Sequence, residues 1–266
     1  MEFEENNHSD KIMAKQEAHA SCLIIVDTSG AMGDKIASIN AGISTFLEQL
    51  KADKKARETV DIAVISFGGS VNVVQEFSPA ALIDSIPPLS ADVGTPMGEA
   101  LDKAITMVLE RKYMYQTNGV ESFIPQVVMF TASEPTDDIM FAKQRLNAEN
   151  AKSTSGKGRI HLWTFAVQGA DVSLLQSLTK RNLYATDSDY TKIFDWARKS
   201  LGLVSYSYRG QTFGDTQPQK LPEVWLRPET SQRDQVQLTP VEGAQTGVPA
   251  DWLHNKGSSE VPTDWV

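Results

Sequence analysis

Short apolar runs alternate with amphipathic stretches from about residue 20 to residue 204. Short apolar runs predict buried strands, and apolar residues that recur every three or four positions predict helices. Strands are predicted over residues 22–27, 61–67, 71–77, 126–131 and 160–167. Helices are predicted over residues 36–50, 100–109, 136–151, 172–179 and 190–203. This alternation is typical of α/β proteins in which helices cover both faces of a mostly parallel sheet.

Two local patterns refine this prediction. The strand at 71–77 follows the strand at 61–67 across the short segment Gly-Gly-Ser. So short a connection predicts an antiparallel hairpin at an edge of the sheet. Thr136, with aspartates at the next two positions, is predicted to begin the helix at 136–151, because threonine caps helices and acidic residues favour their positive end.

The composition changes at the two ends of the chain. Residues 1–19 are polar and acidic and predict a flexible leader, whereas residues 208–266 hold six of the twelve prolines and show no periodicity. We expect this Pro-rich tail to be extended or disordered without a partner. Trp252 and Trp265 lie in a near-repeat, Val-Pro-Ala-Asp-Trp-Leu and Val-Pro-Thr-Asp-Trp-Val. Chance recurrence, docking on the parent domain and docking on another protein all remain open.

The charge and the cysteine content narrow the class of protein. A formal net charge of −9 argues against nucleic acid or an anionic membrane as the main partner, because both attract basic surfaces. No stretch approaches the roughly 20 apolar residues of a membrane helix, and the N-terminus does not resemble a signal peptide. The only cysteine, Cys22, lies in an apolar run and is predicted to be a buried, inert thiol. These features favour a cytoplasmic protein.

The first predicted strand ends in a polar loop that is suited to metal binding. Asp27 stands at the carboxyl end of this strand, where α/β folds place their ligands, and Thr28 and Ser29 follow it. A carboxylate beside small hydroxyl side chains offers the oxygen ligands that Mg²⁺ prefers. The sequence therefore indicates a candidate cation site at this end of the sheet.

This loop resembles the metal-ion-dependent adhesion site of von Willebrand factor type A (VWA) domains, which carries Asp-x-Ser-x-Ser on its first loop. By this resemblance Asp27 and Ser29 stand at the first two metal ligands, and Ala31 stands where the second serine belongs. The segment Val-Gly-Thr-Pro at 93–96 resembles the second loop of the family and puts Thr95 at the position of its threonine ligand. The resemblance implies a partly degenerate site with one oxygen ligand lost from the first loop.

The third loop departs further from the family pattern. The segment that begins at Phe130 resembles the family's Thr-Asp-Gly-x-Pro-Thr-Asp, but Ala132 replaces the aspartate and Ser133 replaces the glycine. Glu134 and Asp137 lie near enough in sequence to substitute for the lost carboxylate, but Asp137 is better explained as a helix cap. Two outcomes stay open: a weak Mg²⁺ site that a partner's Asp or Glu completes, or a metal-free face that binds by shape and hydrogen bonds. In both cases we expect the face to be built from Asp27, Thr28, Ser29, Thr95 and residues 132–134.

The resemblance also implies a fold and a function. It covers roughly residues 20–204 and implies a VWA domain at 20–207, a three-layer α/β/α sandwich with one antiparallel edge strand. With the residues Ile-Phe-Asp-Trp at 193–196, the motifs look most like the TerY-like branch, associated with tellurite-resistance and stress-response gene clusters. In that branch a protein kinase and a PP2C-type phosphatase are often encoded nearby, which implies signalling partners.

The expected function is a non-enzymatic module that recruits other proteins through the degenerate site and the tail, in stress-response or defence signalling. Two alternatives from other classes stay open. One is a metal-dependent phosphoryl-transfer or hydrolytic enzyme that uses Asp27. The other is a passive structural subunit of a larger complex, whose tail alone makes the contacts.

Overall fold

The computed structural model of the protein describes residues 17–154, 158–184, 190–195 and 197–198. Its centre is a sheet of six strands in the order β3-β2-β1-β4-β5-β6. The strands are β1 (Ala20–Asp27), β2 (Val60–Phe67), β3 (Val71–Pro79), β4 (Gln126–Thr131), β5 (His161–Ala166) and β6 (Asn182–Tyr184). The helices are α1 (Ile36–Ala52), α2 (Ala56–Thr59), α3 (Met97–Thr117), α4 (Met140–Ala151) and α5 (Val172–Leu178). Residues 191–195 and 197–198 are also helical.

All neighbouring strands of the sheet run parallel except β2 and β3. Strand β1 lies inside the sheet and pairs with β2 on one side and with β4 on the other. Strand β3 runs antiparallel to β2 and forms one edge. The three-residue connection between them permits only this direction, because parallel strands need a long crossover. The predicted α/β fold, with a mostly parallel sheet and one antiparallel edge strand, is therefore confirmed.

Helices cover both faces of the sheet and make it a three-layer sandwich. Cys22, Ile24 and Val26 of β1 belong to the core under α1, whereas Leu23 and Ile25 belong to the core under α3, α4 and α5. The alternation arises because successive side chains of a strand point to opposite faces. Strand β1 is buried along its whole length, which explains why it is an almost unbroken apolar run in the sequence.

Two elements differ from the sequence prediction. Helix α4 begins at Met140 and not at Thr136, because the Thr136 hydroxyl accepts a hydrogen bond from the backbone N–H of Thr95 and caps no helix. Strand β6 has only three residues and lacks an apolar run, so the sequence pattern does not predict it. It nevertheless extends the parallel sheet by pairing with β5.

A buried ion pair lies near the end of the sheet opposite to Asp27. Asp61, near the start of β2, is fully buried and accepts hydrogen bonds from the Arg111 guanidinium and the Tyr115 hydroxyl of α3. His19 Nδ1 lies 3.6 Å from the same carboxylate. Burial by itself raises the pKa of Asp61, but these three neighbours outweigh burial and hold the pKa of Asp61 below its ordinary value. The pair fastens the C-terminal half of α3 to the sheet.

Cys22 is buried, as predicted, and burial raises the pKa of its thiol to about 12, which disfavours the reactive thiolate. No helix in the described part of the chain is long and apolar enough to cross a membrane. The predicted tail at 208–266, with Trp252 and Trp265, lies outside the described residues, as do residues 1–16 of the predicted leader.

Candidate functional site

The candidate site lies where β1 and β4 end side by side. In the strand order, β2 and β3 lie on one side of β1, and β4 to β6 lie on the other. The crevice between the carboxyl ends of β1 and β4 is therefore the topological switch point, the usual ligand position in open α/β sheets. Val26 pairs with Phe130 in the sheet register. The next residues, Asp27 and Thr131, end their strands as neighbours.

The Asp27 carboxylate is fully buried and accepts three hydrogen bonds. The backbone N–H of Ser29 donates to Oδ1 at 2.7 Å. The Thr131 hydroxyl donates to Oδ2 at 2.8 Å, and the backbone N–H of Ala132 donates to the same oxygen at 3.1 Å. A buried carboxylate needs such donors, because an unpaired buried charge is very costly. The chain itself therefore stabilises the charge of Asp27, which ties the loop after β1 to the loop after β4.

A second contact joins the same two loops. The hydroxyl oxygens of Ser29 and Ser133 lie 2.7 Å apart and share a hydrogen bond. The side chains of Ala31 and Glu134 are exposed, and Glu134 makes no hydrogen bond to another described residue. Glu134 therefore makes no hydrogen bond to Asp27 or Ser29 of the first loop.

The second loop, before α3, packs against the first. The backbone N–H of Asp92 donates to the carbonyl of Thr28 at 2.6 Å. Gly94 has a φ of +89°, and a Cβ there would lie 3.2 Å from the Gly68 carbonyl oxygen. A Cβ at Gly68 would in turn lie 2.6 Å from the Thr28 hydroxyl. Glycine at these two positions therefore lets the chain segments approach closely enough to form one surface.

Thr95 and Thr136 join the second loop to the third. The Thr95 N–H donates to Thr136 Oγ1 at 3.1 Å, and the Thr136 N–H donates to the Thr95 carbonyl at 2.9 Å. Asp137 lies beside this pair, and its carboxylate accepts hydrogen bonds from the N–H groups of Gly98 at 2.9 Å and Glu99 at 2.8 Å. Asp137 is thus a helix cap as predicted, but it caps α3 and not the helix that follows it in sequence.

Residues 28–35, 91–96 and 132–139 therefore form one surface, which we call the three-loop rim. The predicted site residues on this rim or directly beneath it are Asp27, Thr28, Ser29, Ala31, Thr95, Ala132, Ser133 and Glu134. Thr95 is buried, and its hydroxyl makes no hydrogen bond to another described residue. Sequence reasoning missed Thr131 and Asp92. The available signal for Thr131 was a hydroxyl residue at the end of the strand that neighbours β1.

The family-type ligand set on the three-loop rim offers few free ligands to a metal ion. Asp27 is the one carboxylate in the family-type ligand set, both of its oxygens accept hydrogen bonds, and the Ser29 hydroxyl is bound to Ser133. Mg²⁺ must exchange water for ligand oxygens, and a single engaged carboxylate provides little attraction to offset that loss. The residues present therefore fit a resident Mg²⁺ poorly.

Solved structures align with this chain at low sequence identity. The pilus adhesin SpaC from Lactobacillus rhamnosus GG aligns with a TM-score of 0.54 and 13% identity, over 70% of this chain and 31% of that chain. The vWF domain of the type V pili tip protein Mfa5 from Porphyromonas gingivalis aligns with a TM-score of 0.49 and 13% identity, over 75% of this chain and 98% of that chain. This chain thus spans less than a third of the length of SpaC. No curated protein matches the sequence.

The family assignment rests on the sequence profile and agrees with the fold. The profile of the von Willebrand factor type A domain matches residues 23–197, well over half of the chain. This range begins in β1 and contains every element that carries the three-loop rim. The chain belongs to the von Willebrand factor type A (VWA) domain family.

Proposed function

We propose that this chain is a non-enzymatic module that recruits partner proteins through its three-loop rim. VWA domains commonly serve as protein-interaction modules, and SpaC, which shares the fold, is described as a pilus adhesin. The observation that carries the proposal is the set of hydrogen bonds that joins all three loops into one surface. A surface fixed in this way loses little conformational entropy when a partner binds.

The same proposal holds that the rim works without a divalent ion. Two positions of the family's ligand pattern carry alanine in this chain, Ala31 and Ala132. At position 132 the backbone N–H donates to Asp27 and so stabilises the carboxylate that an ion would otherwise neutralise. Of the two outcomes left open by the sequence, the metal-free face that binds by shape and hydrogen bonds is therefore favoured over a weak Mg²⁺ site.

The wider setting of this function rests on resemblance. We propose a role in stress-response or tellurite-resistance-like signalling, with a protein kinase and a PP2C-type phosphatase as partners, because the motifs look most like the TerY-like branch. The near-repeat around Trp252 and Trp265 would supply a second contact from the tail.

The enzymatic alternative is disfavoured by the position of Asp27. Its carboxylate is fully buried, and both oxygens are engaged by donors of the chain. A nucleophile or a metal-bound base must instead reach the substrate. Turnover of a generic phosphate ester by the purified chain, abolished by Asp27→Ala, would restore the enzymatic interpretation.

The test of recruitment uses the full chain as bait in extract of the source cells, with captured proteins quantified by mass spectrometry. Ala31 is exposed on the rim, so Ala31→Trp should block the surface sterically without disturbing the core. The matched controls are Ala31→Ser, which adds little volume, and Leu82→Trp, which changes an exposed residue beyond β3.

We expect Ala31→Trp to remove the main partner, whereas both controls retain it, in EDTA as well as in Mg²⁺. Trp252→Ala/Trp265→Ala in the full chain measures the contribution of the tail. If the tail variant loses all partners and Ala31→Trp loses none, the rim is not the recruiting surface and the passive-subunit alternative is correct.

A further inference from the structure

Large apolar side chains stand exposed around the three-loop rim. Val93, on the second loop, is 77% exposed. Met140 and Phe141, where α4 leaves the third loop, are 50% and 66% exposed. The Thr95–Thr136 hydrogen bonds hold these two loops against each other. Exposed apolar side chains framed by polar residues are typical of protein-binding surfaces.

The charge around these side chains is strongly negative. Five exposed acidic residues lie on the rim or in the first turn of α3: Asp34, Asp92, Glu99, Glu134 and Asp138. In the described segments 28–35, 91–99 and 132–141, Lys35 is the only basic residue, and its ammonium group is bound by Asp34 at 2.6 Å and by the Ala31 carbonyl at 3.0 Å. The potential over the rim therefore favours a cation.

The helix ends at the rim do not reverse this preference. The first N–H groups of α3 and α4 would ordinarily attract an anion. At α3 those of Gly98 and Glu99 donate to Asp137, and at α4 that of Met140 donates to Asp138 at 2.8 Å. The chain's own carboxylates thus occupy the donors that an acidic ligand would need.

One buried polar group is left for a partner. Thr95 is only 4% exposed, and its hydroxyl makes no hydrogen bond to another described residue. Although it is unpaired within this part of the chain, this hydroxyl oxygen is not completely enclosed by the protein. The hydroxyl therefore keeps access to the surface and can donate to or accept from a bound chain.

We propose that the three-loop rim binds a basic segment of another protein, in which Lys or Arg flanks a large apolar side chain. This inference rests on the proposed function of the rim and adds the chemistry of the partner. The apolar anchor packs on Val93 and Met140, the cations face the rim carboxylates, and the Phe141 ring can also accept a guanidinium over its face. No divalent ion takes part.

The chain's own tail is a poor occupant by the same reasoning. Its two Trp motifs carry Asp251 and Asp264, and residues 248–266 contain three acidic residues against one lysine. Those carboxylates would face the carboxylates of the rim. Like charges held close together without a counterion are destabilising, which disfavours docking of the tail on its own rim. The test must nevertheless be able to detect such docking.

The test is selection of a phage-displayed random peptide library on the full chain in EDTA. Affinities of the enriched peptides are then measured by fluorescence polarisation. Two pairs of variants match a change beside the rim, in the first turn of α3 or α4, with the same change at the opposite end of α3: Phe141→Ser with Tyr113→Ser, and Glu99→Lys with Glu110→Lys. All four residues are exposed, and thermal melts check that the fold is kept.

We expect the enriched peptides to be basic and to contain a large apolar residue. Phe141→Ser and Glu99→Lys should each weaken their binding by about tenfold, and the matched controls should not. Binding should also weaken as salt is raised.

Three results would overturn the inference. Acidic peptides that still depend on Phe141 would leave the rim as the binding surface but reverse its chemistry. Peptides that bind to the Trp252→Ala/Trp265→Ala variant but not to the wild-type chain would show that the tail occupies the rim. Binding that neither Phe141→Ser nor Glu99→Lys weakens would count against both this inference and the proposed function.

Discussion

Asp27→Asn tests whether the chain or a metal ion stabilises the central carboxylate of the site. Asparagine keeps the shape of aspartate and keeps one acceptor oxygen for the Ser29 N–H. Its amide nitrogen, however, replaces the oxygen that accepts from Thr131 and Ala132. The Thr131 hydroxyl can rotate and accept a hydrogen bond, but the Ala132 N–H is left facing another donor.

The expected cost follows from these contacts. A buried N–H that loses its acceptor costs about 1–3 kcal/mol, and replacing charge-assisted bonds by neutral ones costs about 1 kcal/mol more. Relief from burying a charge offsets part of this cost, so we expect the free energy of unfolding to fall by about 2–3 kcal/mol. That corresponds to a melting temperature lower by roughly 4–12 °C for a domain of this size.

The assay is urea unfolding of the full chain, followed by circular dichroism in EDTA and in excess Mg²⁺. The control is Asp34→Asn, whose side chain is 79% exposed and should change stability little. We expect the loss in Asp27→Asn to be the same in both buffers, because no ion contributes to it. An ion present at about a hundred times its Kd would stabilise the wild-type protein by about 2–3 kcal/mol. A Mg²⁺ stabilisation of this size that disappears in Asp27→Asn would refute this reasoning.

Three further substitutions test the packing around the site and the opposite end of the sheet. Asp137→Ala removes the acceptor for two N–H groups in the first turn of α3 and should lower the unfolding free energy, measured in urea titrations, by about 1–2 kcal/mol. Hydrogen exchange should also become faster at the start of α3. If Asp137 capped α4 instead, exchange in α3 would not change. Asp61→Asn should cost about 3 kcal/mol, because Arg111 loses its buried partner. Because the fold lowers the pKa of Asp61, the ionised carboxylate stabilises the folded protein at pH values above its ordinary pKa of about 4. This stabilisation is lost as the pH falls below that value. The Asp61→Asn variant should therefore lose less stability in acid than the wild-type protein does. Gly42→Ala should destabilise the folded protein by about 1–2 kcal/mol, because the new Cβ would collide with the Phe194 ring, and this collision outweighs the better helix propensity of alanine. An increase in melting temperature would instead show that the contact between Gly42 and Phe194 is absent.

The sequence predicted most of the sheet well because β1, β2, β4 and β5 are buried along their whole length. An element such as β1, enclosed by helices above and below, is an apolar run with no polar interruption. The hairpin of β2 and β3 followed from the length of one connection. Strand β6 escaped prediction because three residues, one of them Asn182, carry no periodic signal.

The site was predicted only in part, because its contacts join residues that are distant in sequence. The positions of Asp27, Ser29 and Thr95 follow from strand ends and family motifs. The bond from Thr131 to Asp27 spans 104 positions, and the cap from Asp137 to Gly98 spans 39, so no local pattern encodes either contact. The local pattern at Thr136 was misleading, since a threonine before acidic residues can equally well bind a neighbouring loop.

Calorimetric titration with Mg²⁺ tests most directly whether the three-loop rim works without an ion. The two proteins to compare are the wild-type chain and the variant Ala31→Ser/Ala132→Asp, which restores both ligands of the family pattern. We predict no binding heat from the wild-type chain at millimolar Mg²⁺ and clear binding by the restored variant. Binding of Mg²⁺ by the wild-type chain with a Kd well below millimolar, lost on Thr95→Ala, would contradict a metal-independent rim.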